Sequence, residues 1–206
     1  MRNRNSRRGS NILEFAVVAV VLIPLFFGAI ALGLRLGTSV QATQVARDVG
    51  HMYSQGLDLT KPANRQLVLE LAKNLAINSG SASDRGFIIL SQIRMLTRAD
   101  CTNGFCGNLG RYVVVDRVTI GNAALTPSRV ATPRPGIVTS TGAIAAADYR
   151  NDASVIVASL QTLLDGAQVN LGTGEVLYVA ETFTAMDSLQ MFGSAGTGGA
   201  YARTIF

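Results

Sequence analysis

Tryptophan is absent from this 206-residue chain, and histidine occurs once, at His51. A single histidine leaves little room for triad chemistry or for a histidine-rich metal centre. Charged residues are only 15% and the mean hydropathy is +0.30, which excludes a disordered chain, since disorder goes with low hydrophobicity and high net charge. The chain has 18 Lys and Arg against 13 Asp and Glu, but Arg2, Arg4, Arg7 and Arg8 all fall in the first eight residues. Without them the balance is 14 against 13. A nucleic-acid binder carries its basic patch on the folded domain, so the pI of about 9.7 does not point to nucleic acid. There are two cysteines, and the first is Cys101, far from any apolar segment that a lipoprotein anchor would use.

From Phe15 to Leu34, 20 residues pass without a formal charge. At about 1.5 Å of helical rise per residue they cover roughly 30 Å, the thickness of a bilayer's hydrocarbon core. This predicts a membrane span. Four arginines precede it and only Arg35 follows closely, so the positive-inside rule puts the N-terminus in the cytoplasm and the body outside. Pro24 removes one helical hydrogen bond within the span and predicts a kink there, which lipid tolerates because the remaining backbone has only itself to pair with. A secretory signal would have a shorter apolar region, although Ala29-Ile30-Ala31 resembles a cleavage site and would give a mature start at or after Leu32. Beyond the span Ala42, Val45, Ala46, Val49, Met52 and Tyr53 recur at steps of three and four, which continues the helix as an amphipathic rod to about residue 56.

Glu14 stands among Ile12, Leu13 and Phe15 at the head of this helix. An intramembrane carboxylate implies a partner or a function, unless it snorkels to water or sits on the positive end of the helix dipole. The run Arg7-Arg8-Gly9-Ser10-Asn11-Ile12-Leu13-Glu14-Phe15 resembles the class III leader of type IV pilins and pseudopilins. The resemblance implies that a prepilin peptidase cuts between Gly9 and Ser10, that Glu14 pairs with the Ser10 amine of a neighbouring subunit and sets its register, and that the span and the apolar stripe of 42–53 make the subunit contacts. Taken with Gly174-Glu-Val-Leu-Tyr-Val-Ala-Glu-Thr-Phe183 and the end Tyr201-Ala-Arg-Thr-Ile-Phe206, the chain is similar to the TadE-like minor pilins of tight-adherence pili; TadF-like, TadG-like and type II secretion pseudopilins share much of the leader. The partners so implied are other pilin subunits, the prepilin peptidase, an inner-membrane assembly platform and membrane lipid, and the implied role is pilus assembly or initiation in surface adhesion. Two readings compete with it: a bitopic protein with an extracytoplasmic binding or sensing domain, and a secreted protein with a long signal.

The expected organisation is a leader over 1–9, a long helix over 10–56 with its span at 15–34, and an extracytoplasmic α+β domain over 57–206. Pro62 opens a second helix whose stripe is Leu67, Val68, Leu71, Ala72 and Leu75, ending near Asn78. Residues 87–96 and 112–120 read as strands. Between them Cys101 and Cys106 predict a disulfide in an oxidising compartment, because a zinc site would need more ligands and a thioredoxin-type motif two intervening residues, not four. Residues 121–147, with Pro127, Pro133 and Pro135, read as an irregular exposed excursion. Asp152 is expected to cap a helix to Leu164, residues 168–171 and 176–185 to pair as a hairpin, 193–199 to be a flexible linker and 201–206 a short final strand.

No catalytic constellation emerges. His51 has no nucleophile near it in sequence. Glu175 and Glu181 would lie on one face of a strand but about 20 Å apart, too far for a carboxylate pair. Gly193-Ser-Ala-Gly-Thr-Gly-Gly199 lacks the Lys-Ser/Thr ending of a phosphate loop. The sequence therefore reads as a non-enzymatic membrane protein without cofactor or metal.

Overall fold

One helix, α1, runs from Ser6 to Ser54, about 74 Å at the standard rise. The computed structural model describes residues 6–160, 174–186 and 198–206. The helix is continuous through Pro24. From Leu13 to Gln41 no residue of it is buried, and the exposed side chains include Phe15, Ile23, Phe26, Leu32 and Leu36. From Ala42 the pattern changes abruptly: Ala42, Val45, Ala46, Val49 and Gly50 are buried.

The rest of the chain builds an α+β body around a four-stranded antiparallel sheet, ordered β2-β1-β3-β4, of β1 (Gly86–Met95), β2 (Tyr112–Gly121), β3 (Val176–Ala185) and β4 (Gly199–Ile205). Alternation along each strand makes two apolar faces. One face, with Ile88, Leu90, Ile120, Ala180, Ala200 and Ala202, packs under the last three turns of α1, chiefly along β3 and β4. The other carries Ile93, Val114 and Val179 and is covered by residues 130–160. The strands predicted at 87–96, 112–120, 176–185 and 201–206 are present to within a residue or two, with a bulge between Gln92 and Ile93.

Small residues set how closely α1 approaches the sheet. Alanines face each other at positions 42, 46, 180, 200 and 202, and a Cβ placed on Gly50 would lie 2.3 Å from the Phe206 ring and 2.9 Å from Ala180 Cβ. Gly50 is thus a packing position, where sequence reasoning saw only a weak point of the helix. Replacing a helical Gly normally gains up to about 1 kcal/mol, whereas overpacking costs about 1–3 kcal/mol. Gly50→Val is therefore expected to lower the melting temperature of the body. Gly37→Ala, on a turn with nothing within 4 Å of the added carbon, is expected to leave it unchanged or raise it. Thermal circular dichroism of the full chain in detergent checks both, and a Gly50→Val protein as stable as the parent would refute the close-approach argument. Nearby, the Tyr53 hydroxyl donates to Asp116 Oδ1 at 2.7 Å, and its ring meets Tyr178 edge-on, tying the end of α1 to β2 and β3.

Four expectations are corrected. The apolar stripe of 42–53, expected to contact other subunits, packs on the chain's own sheet, because only that helix face can seal the apolar strands beneath it. In α2 (Pro62–Ala72), Val68 and Ala72 are buried but Leu67 and Leu71 are 50% and 42% exposed; the helix passes into a 3-10 turn at Lys73–Leu75 and ends at Ala76 in the left-handed region, so a narrower stripe reaches the core. The excursion of 121–147 is irregular but not wholly exposed: Val130, Ala131, Ile137 and Ile144 are buried against the second sheet face, which would otherwise leave apolar strand residues in water. Asp152 does cap, but its carboxylate accepts the Ser154 N–H of a 3-10 turn, Ala153–Val155. Ile156 then bridges to Val113, and helical backbone resumes only at 158. A short α3 (Ala146–Asn151), with no apolar period of its own, precedes it. The end of the predicted 152–164 helix, residues 168–171 and most of 193–199 lie outside the described residues; β3 has β1 and β4 as its neighbours.

Order in the 79–84 loop comes from Asp84. Its carboxylate accepts backbone N–H groups of Asn78, Ser79, Gly80 and Ser81 and the Ser79 hydroxyl. Burial by itself would raise this carboxyl's pKa, and the hydrogen bonds from Ser79, Asn78 and Gly80 bring it below its ordinary value.

Candidate functional site

Gly9 and Ser10 lie in the first turns of α1, and Glu14 and Phe15 follow on the same helix. Glu14 is exposed between Leu13, 68% exposed, and Phe15, 75% exposed. Among the described residues one helix is long and apolar enough to cross a membrane, with a mean hydropathy of 2.8 in its most apolar stretch and none of that stretch buried by the body. Such a surface is stable only in lipid or against other apolar helices. What the fold does, then, is hold α1 by its last three turns and leave the preceding eight to an apolar environment outside the chain.

Residues 9–51 match the family model for TadE-like proteins. Over that segment the chain is similar to TadE-like proteins. The match begins at Gly9, takes in Glu14, Phe15 and Pro24, and ends at His51, within the part of α1 that packs on the sheet. Comparison with curated proteins and with solved structures gives no match. The matched segment takes in the apolar stretch of α1 that is long enough to cross a membrane.

The remaining sites named from the sequence sit apart from this helix end. Cys101 and Cys106 are bonded, with Cα atoms 5.4 Å apart, in the loop joining β1 to β2, and the loop displays Phe105 at 78% exposure. Arg94 and Asp100 pair at its base, where Thr97 and Asp100 form a capping box. His51 lies on the Phe206 ring, centroids 6.1 Å apart and nearly parallel, and its Nε2 is 3.3 Å from Gln55 Nε2. Among the described residues no group of three His, Cys, Asp or Glu could hold a metal ion.

One polar cluster was invisible to sequence reasoning. Glu181, in the middle of β3, is fully buried. Its Oε1 accepts the Arg129 backbone N–H at 2.8 Å and the Tyr201 hydroxyl, and its Oε2 accepts the Ser128 hydroxyl. Arg117 is buried nearby and donates to the Ala131 carbonyl. Burial pulls its pKa down while the charge of Glu181 acts the other way. The Arg129 guanidinium lies 4.4 Å from the centre of the Tyr201 ring. Burial, with the bond to Glu181, pushes the Tyr201 phenol well above its ordinary value. The carboxylate thereby joins the 121–147 segment, β3 and β4. Alternation along β3 placed Glu181 on one face, but its partners lie 20, 52 and 53 residues away.

Proposed function

We propose that this TadE-like protein is a minor pilin that takes part in assembling or initiating a Tad-type pilus. A prepilin peptidase removes residues 1–9 at the cytoplasmic face of the inner membrane, freeing the Ser10 amine. The processed α1 then exchanges lipid for the helices of other subunits, bending at Pro24 to fit among them, with Glu14 paired to a neighbour's N-terminal amine. The body of residues 57–206, outside the membrane, is carried at the pilus surface. The observation that supports this best is the division of α1: within the matched segment, residues 13–41 are unburied and carry the uncharged apolar run of Phe15 to Leu34, whereas the stripe from Ala42 is already sealed by the sheet. The helix thus offers other subunits a surface that the body does not use.

The N-terminus of the protein from membranes of cells with and without their prepilin peptidase tests the reading. A mature chain beginning at Ser10 only when the peptidase is present is expected. A chain still beginning at Met1 in peptidase-positive cells would indicate a bitopic protein, and a start near Leu32 a cleaved signal; either result overturns the proposal.

A further inference from the structure

A cavity of about 500 Å³ opens where α1 leaves its apolar span. Its helix wall is Leu32, Arg35, Leu36 and Ser39, and its body wall includes Arg129, Met186 and Tyr201. Leu32 to Ser39 rises about 10 Å along the helix, enough to cross from the hydrocarbon edge into the headgroup layer. Apolar side chains and two guanidinium groups therefore line one recess at the depth where a lipid changes from acyl chain to phosphate.

Both arginines are placed for this. Arg35 is the first charge after the 20-residue uncharged run, so it meets the headgroup layer on the side of the body. Arg129 comes from the other wall, held by its backbone N–H on Glu181 and by its guanidinium over the Tyr201 ring. Holding a cation in place in advance lowers the entropy lost when an anion binds. Guanidinium groups bind phosphate oxygens through forked, charge-assisted hydrogen bonds.

We infer that this recess binds the headgroup phosphate of one anionic phospholipid, with Arg35 and Arg129 on the phosphate and Leu32, Leu36 and Met186 against the glycerol end of the acyl chains. The bound lipid fills the angle between helix and body and fixes the body's height on the membrane. The inference needs the membrane span alone and is independent of cleavage at Gly9 and of pilus assembly.

Native mass spectrometry of the full chain in mild detergent, with added phosphatidylglycerol or phosphatidylcholine, tests it. One phosphatidylglycerol retained in preference to phosphatidylcholine is expected, with retention falling about fivefold in Arg35→Gln and about thirtyfold in the Arg35→Gln, Arg129→Gln double variant. Arg111→Gln, exposed elsewhere on the body, should bind as the parent does. The single variant leaves the Glu181 cluster intact, so its result stands even if the double variant unfolds. Equal retention by parent and Arg35→Gln, or no preference between the two lipids, overturns the inference. Displacement of the lipid by excess inorganic phosphate would mark a site for free anion and overturn it as well.

Discussion

Glu181→Ala is expected to be the most destabilising single substitution in the body, costing about 3–5 kcal/mol. The carboxylate is fully buried and accepts from Ser128, Arg129 and Tyr201. Its removal leaves two hydroxyl groups and a backbone N–H without their acceptor, and it deprives the buried Arg117 of the negative charge that offsets its desolvation. The damage extends past β3, because these donors lie on the 121–147 segment and on β4, and each loses one of its ties to β3. Glu181→Gln keeps the shape and two acceptor sites but puts an amide N–H₂ where one oxygen had accepted, and it removes the charge; a smaller loss of about 1–3 kcal/mol follows. Urea unfolding of the full chain in detergent, followed by tyrosine fluorescence because there is no tryptophan, measures both. A Glu181→Ala protein with the parent's midpoint would show that the cluster contributes nothing net.

The second large effect is expected at the opposite end of the molecule and on assembly. Under the proposed function, Glu14→Ala inserts into the membrane and folds as the parent does, since Glu14 is exposed on α1 and remote from both cores. Once α1 is packed among other helices, breaking a buried ion pair by removing one partner costs about 3–5 kcal/mol, so incorporation into pili should fall by roughly a hundredfold or more. Glu14→Gln separates charge from size: if pairing with an amine is the mechanism, it assembles nearly as poorly as Ala, and if only a hydrogen bond is needed it recovers. Quantifying the protein in sheared pili against membranes from the same cells reads the effect. Full incorporation of Glu14→Ala would end the register argument and leave the lipid recess untouched.

Much of the architecture was legible because its signals are local and periodic. Twenty uncharged residues need no partner to declare a membrane helix, and the 42–53 stripe has the period of a helix with one side against a core. The strands at 86–95 and 112–121 announce themselves by β-branched and aromatic residues between turn-forming clusters. The 121–147 segment was misread for the converse reason. Val130, Ala131, Ile137 and Ile144 fall at no regular spacing among prolines and threonines, and burial without a period leaves no pattern to detect. Leu67 and Leu71 failed in the other direction, as an apolar period with no surface opposite to cover it.

The sequence by itself determined that one long helix carries a 20-residue uncharged apolar run, that its head from Gly9 through Glu14 resembles that of TadE-like proteins, and that an α+β body with a disulfide-closed loop follows. Each of these depends on residues near one another in the chain, where helical rise, strand alternation and turn chemistry act. Tertiary structure alone decided which face of α1 the body occupies, why a side chain at Gly50 would crowd Phe206 and Ala180, what satisfies Glu181, and that Arg35 and Arg129 line one recess. Those outcomes depend on contacts between residues dozens of positions apart, which pairing across the sheet creates and no local spacing encodes.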